Sequence, residues 1–161
     1  MNTRTASELL SAIDASFAVS ILGTASVVGR LIGGWILTRL ATRTFVIVTL
    51  IGQTLGLFLF ALSETRAMVW TAAGLFGVNM GNLLMLHPLV LAEVYSVQNF
   101  PRLYSLGQSF TSVGVACGPL LLGWIYERAG YPFAFAAAGV VSCLALVLFL
   151  SSGPAPRDHK T

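Results

Sequence analysis

The sequence predicts an all-α membrane protein with five transmembrane helices. Three observations carry that expectation. Of the 161 residues, 56% are hydrophobic and only 9% charged, whereas soluble domains carry about 25% charged residues. Five apolar runs reach the roughly 20 residues that a helix needs to cross the hydrocarbon core. None of the runs alternates with a period of two, so helices rather than strands satisfy the backbone in lipid.

The first run covers residues 12–37 and follows a polar segment, 1–11, that contains Arg4 and Glu8. It is too long for a signal-peptide core, and no cleavage-type ending follows it. The second run covers 45–62 and the third, the longest, 67–95. Pro88 lies inside the third and is expected to kink it, because proline donates no backbone hydrogen bond. The fourth covers 103–126, with Pro119 expected to interrupt it, and the fifth covers 131–150. Pro101 and Pro132 stand at helix openings, where proline is tolerated. The tail 151–161, with Gly153-Pro154-Ala155-Pro156, is expected to be disordered.

Most charges sit in the connections. Arg39, Arg43, Arg102, Arg157 and Lys160 collect on one side of the membrane, and Arg4, Arg66 and Arg128 on the other. The basic excess favours a cytoplasmic location for the first connection, the third connection and the C-terminus. The net charge of +3 comes from scattered single residues, which gives no phosphate-binding stripe and argues against nucleic acid as a partner. Cys117 and Cys143 fall in apolar runs without disulfide or zinc spacing and read as small buried residues. No nucleophile–base pair, metal-ligand cluster or phosphate loop is present, so the sequence points to no enzyme, cofactor or metal.

The helix faces are patterned. Small residues four apart let backbones approach closely in lipid, and this spacing recurs at Gly29/Gly33, Gly52/Gly56, Gly77/Gly81 and Gly114/Gly118. A tightly packed bundle is expected, although glycine is also simply common in membrane helices. Polar residues form other faces. These are Ser16, Ser20, Arg30 and flanking Ser26 in the first helix, Asn79, Asn82 and His87 in the third, and Ser105, Gln108, Ser109 and Ser112 in the fourth. Uncompensated polar groups cost several kcal/mol in hydrocarbon. A shared polar cavity lined by Arg30, Ser26, Asn79, Asn82 and Gln108 accounts for them, as does hydrogen bonding back to their own helices.

Arg30 sits roughly 8 Å from the midplane at about 1.5 Å per residue. It either contacts a ligand, with a carboxylate its best bidentate partner, or snorkels to the interface. His87 can relay protons or bond within its helix. Glu93 either joins Arg39, Arg43 or Arg102 in a gate or is a solvated carboxylate. Asp14 reads as a solvated helix-start acid.

Gly29-Arg30-Leu31-Ile32-Gly33-Gly34-Trp35-Ile36-Leu37-Thr38-Arg39 resembles the end of the eighth helix and the following loop of major facilitator superfamily transporters. Thr38 stands where that motif usually has aspartate, whereas Arg39 and Arg43 match. Gly118-Pro119-Leu120-Leu121-Leu122-Gly123-Trp124-Ile125-Tyr126-Glu127 resembles the end of the eleventh helix, and Ala129-Gly130-Tyr131-Pro132-Phe133-Ala134-Phe135 the entry to the twelfth. The resemblance covers nearly the whole chain and implies a partial major-facilitator-type bundle, helices eight to twelve. It implies transport of a small solute held near the midplane between two halves. The partners implied are the lipid bilayer, that solute and the missing N-terminal half, with the chain expected to be a fragment in the plasma or inner membrane. Ser26-Val27-Val28-Gly29-Arg30 is also similar to monocarboxylate transporters, in which an arginine contacts the substrate carboxylate. Ser26 replaces their aspartate. That similarity implies an organic anion. The rival reading is a stand-alone five-helix interaction or regulatory module.

Overall fold

The computed structural model describes residues 12–94 and 99–153, with the backbone alone for 12–15. The polar segment 1–11, the Asp14 side chain, Tyr95 and the tail from 154 onward lie outside the described residues. Five helices follow one another: α1 (Ala12–Leu37), α2 (Thr42–Ala61), α3 (Arg66–Val94), α4 (Phe100–Ala129) and α5 (Tyr131–Ser151). Each is long and apolar enough to cross a membrane, as the composition requires.

The helix ends follow local chemistry. At the end of α1 the Thr38 hydroxyl donates to the Trp35 carbonyl at 2.7 Å, and the chain turns within four residues into α2. Gly130 is the whole connection between α4 and α5. Its φ of 85° lies in the left-handed region, which a side chain disfavours, and its N–H caps the Tyr126 carbonyl at 2.8 Å. The expected interruption at Pro119 does not occur, since α4 continues through it, and α3 runs on as one helix through Pro88. A membrane helix tolerates a lost backbone hydrogen bond when neighbours or local adjustments cover the freed carbonyl.

Spatial order differs from chain order. α1 packs mainly on α3, α3 on α2, α2 on α5, and α5 on α4. α1 and α2 are consecutive yet hardly touch, and α4 meets α3 only slightly. The core lies between α2 and α3, where Phe45, Val46, Leu50 and Leu86 are buried and Ile36, Leu37, Leu83 and Val90 pack around them. On the α2–α5 side, Phe60 stacks on Phe135 with centroids 4.9 Å apart. There the hydroxyls of Thr54 and Ser142 also share a buried hydrogen bond of 2.7 Å.

α4 is different in kind, having no buried residue. Cys117, read from sequence as a buried residue, is therefore exposed, and Cys143 is half-buried. α4 nevertheless corresponds to α1 in sequence. Gly34-Trp35-Ile36 followed by Arg39 matches Gly123-Trp124-Ile125 followed by Arg128, each residue 89 positions from its counterpart. The starts of α2 and α5, Thr42 and Tyr131, keep the same offset.

Candidate functional site

The glycine faces determine where the polar side chains can go. At Gly29 an added Cβ would lie 2.6 Å from the Val78 carbonyl oxygen, and at Gly77 2.5 Å from that of Leu22. At Gly81 it would collide with the Ser26 backbone carbonyl, and at Gly33 with the Asn82 carboxamide. So Gly29, Gly33, Gly77 and Gly81 together form the α1–α3 seam. On α2, Gly52 receives the Asn79 carboxamide and Gly56 the backbone of Phe76. Gly114 and Gly118 are placed differently, with nothing within 4 Å of a Cβ at either. The expected glycine packing of α4 is therefore not made with any described helix, because α4 is held at its edge by α5.

Asn79 and Asn82 are buried. They lie three residues apart on α3, which directs one carboxamide to Gly52 of α2 and the other to Gly33 of α1. Asn79 Nδ2 donates to the Leu75 carbonyl at 2.7 Å. Asn82 Oδ1 is buried without a hydrogen-bond partner among the described residues and occupies the space that a Cβ at Gly33 would fill. Ser26 is half-buried in the same seam, its Oγ 2.9 Å from a Cβ at Gly81. Three of the five expected cavity residues thus line the seams. A periodic pattern identifies a polar face but not the neighbour that covers it.

Arg30 and Gln108 remain exposed. Arg30 projects one turn beyond Ser26. It makes no hydrogen bond, ion pair or ring contact among the described residues, and Gly23 and Gly34 beside it have nothing within 4 Å of a Cβ. Most other hydroxyls are satisfied locally: Ser105, Ser109, Thr111 and Ser112 on α4 each donate to a carbonyl three or four residues earlier, as does Ser20 on α1. These residues need no cavity. His87 faces α4, its ring centroid 5.7 Å from that of Tyr104 and its Nε2 2.9 Å from a Cβ at Gly107.

Glu93 finds its partner on α2. Glu93 accepts a hydrogen bond of 2.6 Å from the Thr42 hydroxyl, which holds the carboxylate beside the first turn of α2, where helix dipoles favour negative charge. Neither Arg39 nor Arg43 pairs with it among the described residues. Arg39 instead lies over the Trp35 ring, 4.7 Å from its centroid. Arg128 lies over Trp124 at 3.8 Å, a partnership that attention to loop charges alone did not anticipate. The repeated Gly-Trp-Ile was the available signal.

Comparison with known proteins agrees with this architecture. The model of the Major Facilitator Superfamily matches residues 4–161. An uncharacterized MFS-type transporter of Mycobacterium tuberculosis strain CDC 1551 / Oshkosh is 27% identical over 151 residues, covering 93% of this chain and 35% of the relative. An uncharacterized MFS-type transporter of strain H37Rv gives the same figures. The chain thus spans about a third of the length of the curated relatives it matches. No solved structure matches.

Proposed function

The chain belongs to the Major Facilitator Superfamily, and from that premise we propose that it supplies one wall of the pathway of a secondary transporter for a small solute. The observation that carries the proposal is Arg30, an exposed guanidinium inside a membrane span with no partner among the described residues. Such a group is expensive in hydrocarbon and marks a solute path or a water-filled cavity. Its fork suits a carboxylate, and the similarity of Ser26-Val27-Val28-Gly29-Arg30 to monocarboxylate transporters leans the same way, towards an organic anion. Gln108, exposed on α4, is the second solute contact. Ser26, Asn79 and Asn82 act one step back by fixing α1 against α3 and α3 against α2. In alternating access this bundle rocks against a further set of helices, which the length of the relatives supports. The expected placement of the first and third connections on the cytoplasmic side belongs to the same proposal.

Uptake of labelled small organic anions and neutral solutes by vesicles carrying the intact transporter tests it. Losing a hydrogen bond to a charged group costs about 1.5–3 kcal/mol. Arg30→Ala is therefore expected to lower carboxylate uptake by about 10- to 150-fold at unchanged protein level, and Arg30→Lys less. Unchanged uptake in Arg30→Ala would remove Arg30 from the pathway.

A further inference from the structure

We propose that the Trp35–Arg39 and Trp124–Arg128 pairs are two clamps for phospholipid headgroups, one in each leaflet. Both tryptophans are prominently exposed, at 59% and 57%. Each stands near the C-terminal end of a spanning helix, the depth at which indole is favoured in a bilayer. The arginine four residues on returns to the same helix face, and its guanidinium covers the ring at 4.7 Å in one pair and 3.8 Å in the other. Neither guanidinium has a carboxylate or other hydrogen-bonding partner among the described residues.

This arrangement leaves a planar fork of N–H donors held at the boundary of the hydrocarbon, with the indole restricting its rotation. Such a fork is matched by the oxygens of a phosphate. α1 and α4 cross the membrane in opposite senses, since three connections separate them, so the two pairs lie at opposite membrane faces. The same Gly-Trp-Ile and trailing arginine serve at both, 89 residues apart. A protein neighbour would present different surfaces at the two faces. The bilayer presents the same phosphate at both.

The clamps differ in their surroundings. Arg43 lies in the first turn of α2, four residues beyond Arg39, whereas Glu127 directly precedes Arg128. With Glu93 held on Thr42 beside Arg43, the first site carries a net charge of +1, and the second is neutral overall. The first clamp therefore selects anionic phospholipids, by about fivefold if each nearby basic residue contributes as basic residues do at charged membrane surfaces. The second accepts zwitterionic and anionic phosphates alike.

Quenching of single-tryptophan versions of the chain, W70F/W124F and W35F/W70F, in bilayers with brominated lipids tests this. Three probes are compared: brominated phosphatidylglycerol, phosphatidylcholine and diacylglycerol, which has no phosphate. Trp35 should be quenched by phosphatidylglycerol in about fivefold preference to phosphatidylcholine, and Trp124 equally by the two. Both should favour phospholipid over diacylglycerol. Arg39→Gln and Arg128→Gln should each abolish the phospholipid preference at their own tryptophan, whereas Arg102→Gln changes neither. Arg39→Lys, which keeps the charge but loses the flat fork, should retain part of the preference and serves if the glutamine variant fails to fold. Equal quenching by all three lipids overturns the proposal, as do a preference that survives Arg→Gln and tryptophans that no lipid quenches.

Discussion

A single methyl group placed at Gly77 should loosen the seam between α1 and α3. Its carbon would lie 2.5 Å from the Leu22 carbonyl oxygen and 3.1 Å from both Leu22 Cα and Ala25 Cβ, where ordinary contact begins at 3.4 Å. The obstructing oxygen is helix backbone and cannot swing aside, so the two helices must separate by about 0.9 Å. A gap of roughly that size forfeits about a quarter to a half of each atom pair's attraction along the seam. Overpacking of this kind costs about 1–3 kcal/mol, and we expect about 2 kcal/mol for Gly77→Ala. Gly29 faces the same seam from the other helix, 2.6 Å from the Val78 oxygen. One separation relieves both clashes, so the double variant should cost about 2–3 kcal/mol rather than the sum of the two. Gly114→Ala meets nothing within 4 Å and should change stability by less than about 0.5 kcal/mol. Thermal unfolding of the chain in mild detergent, followed by circular dichroism, reads the difference as a drop of about 4–8 °C for Gly77→Ala. Equal melting of the Gly77 and Gly114 variants would refute the assignment of the seam.

Two further outcomes follow from buried polar contacts. Gly33→Ala should destabilise the bundle by driving into the Asn82 carboxamide. Asn82→Ala should recover part of the loss, giving a coupling of about 1 kcal/mol in a double-mutant cycle; strictly additive effects would separate the two residues. Thr54→Val and Ser142→Ala should each cost about 1 kcal/mol for the shared hydrogen bond between α2 and α5. The double variant should cost little more than either alone in the same melting assay. Full additivity would deny that bond a role.

The fold was legible because lipid makes helices of long apolar runs whatever their detailed residues. Partners were less legible. Asn79 and Asn82 mark a polar side of α3, yet spacing on one helix cannot reveal that glycines opposite will receive their side chains. Gly114 and Gly118 show the converse: they repeat the spacing of Gly29 and Gly33 but face no described helix. Arg30 could be read as exceptional from position alone, because its charge has no inexpensive place in a span. The Trp–Arg stacks were readable only through the correspondence of α1 with α4, which is weak in composition and plain in register.

The order in which the helices associate matters during synthesis. α1 has little contact with α2, the next helix to emerge, and takes its main contacts from α3. The chain must grow from Leu37 to Val94 before α3 is complete, which takes roughly 3–11 s at about 5–20 residues per second. For that interval α1 lacks α3, and the grooves at Gly29 and Gly33 stay unfilled. The cell's yield of this protein therefore depends on how long α1 goes without α3, a quantity that a melting curve of the finished bundle does not record.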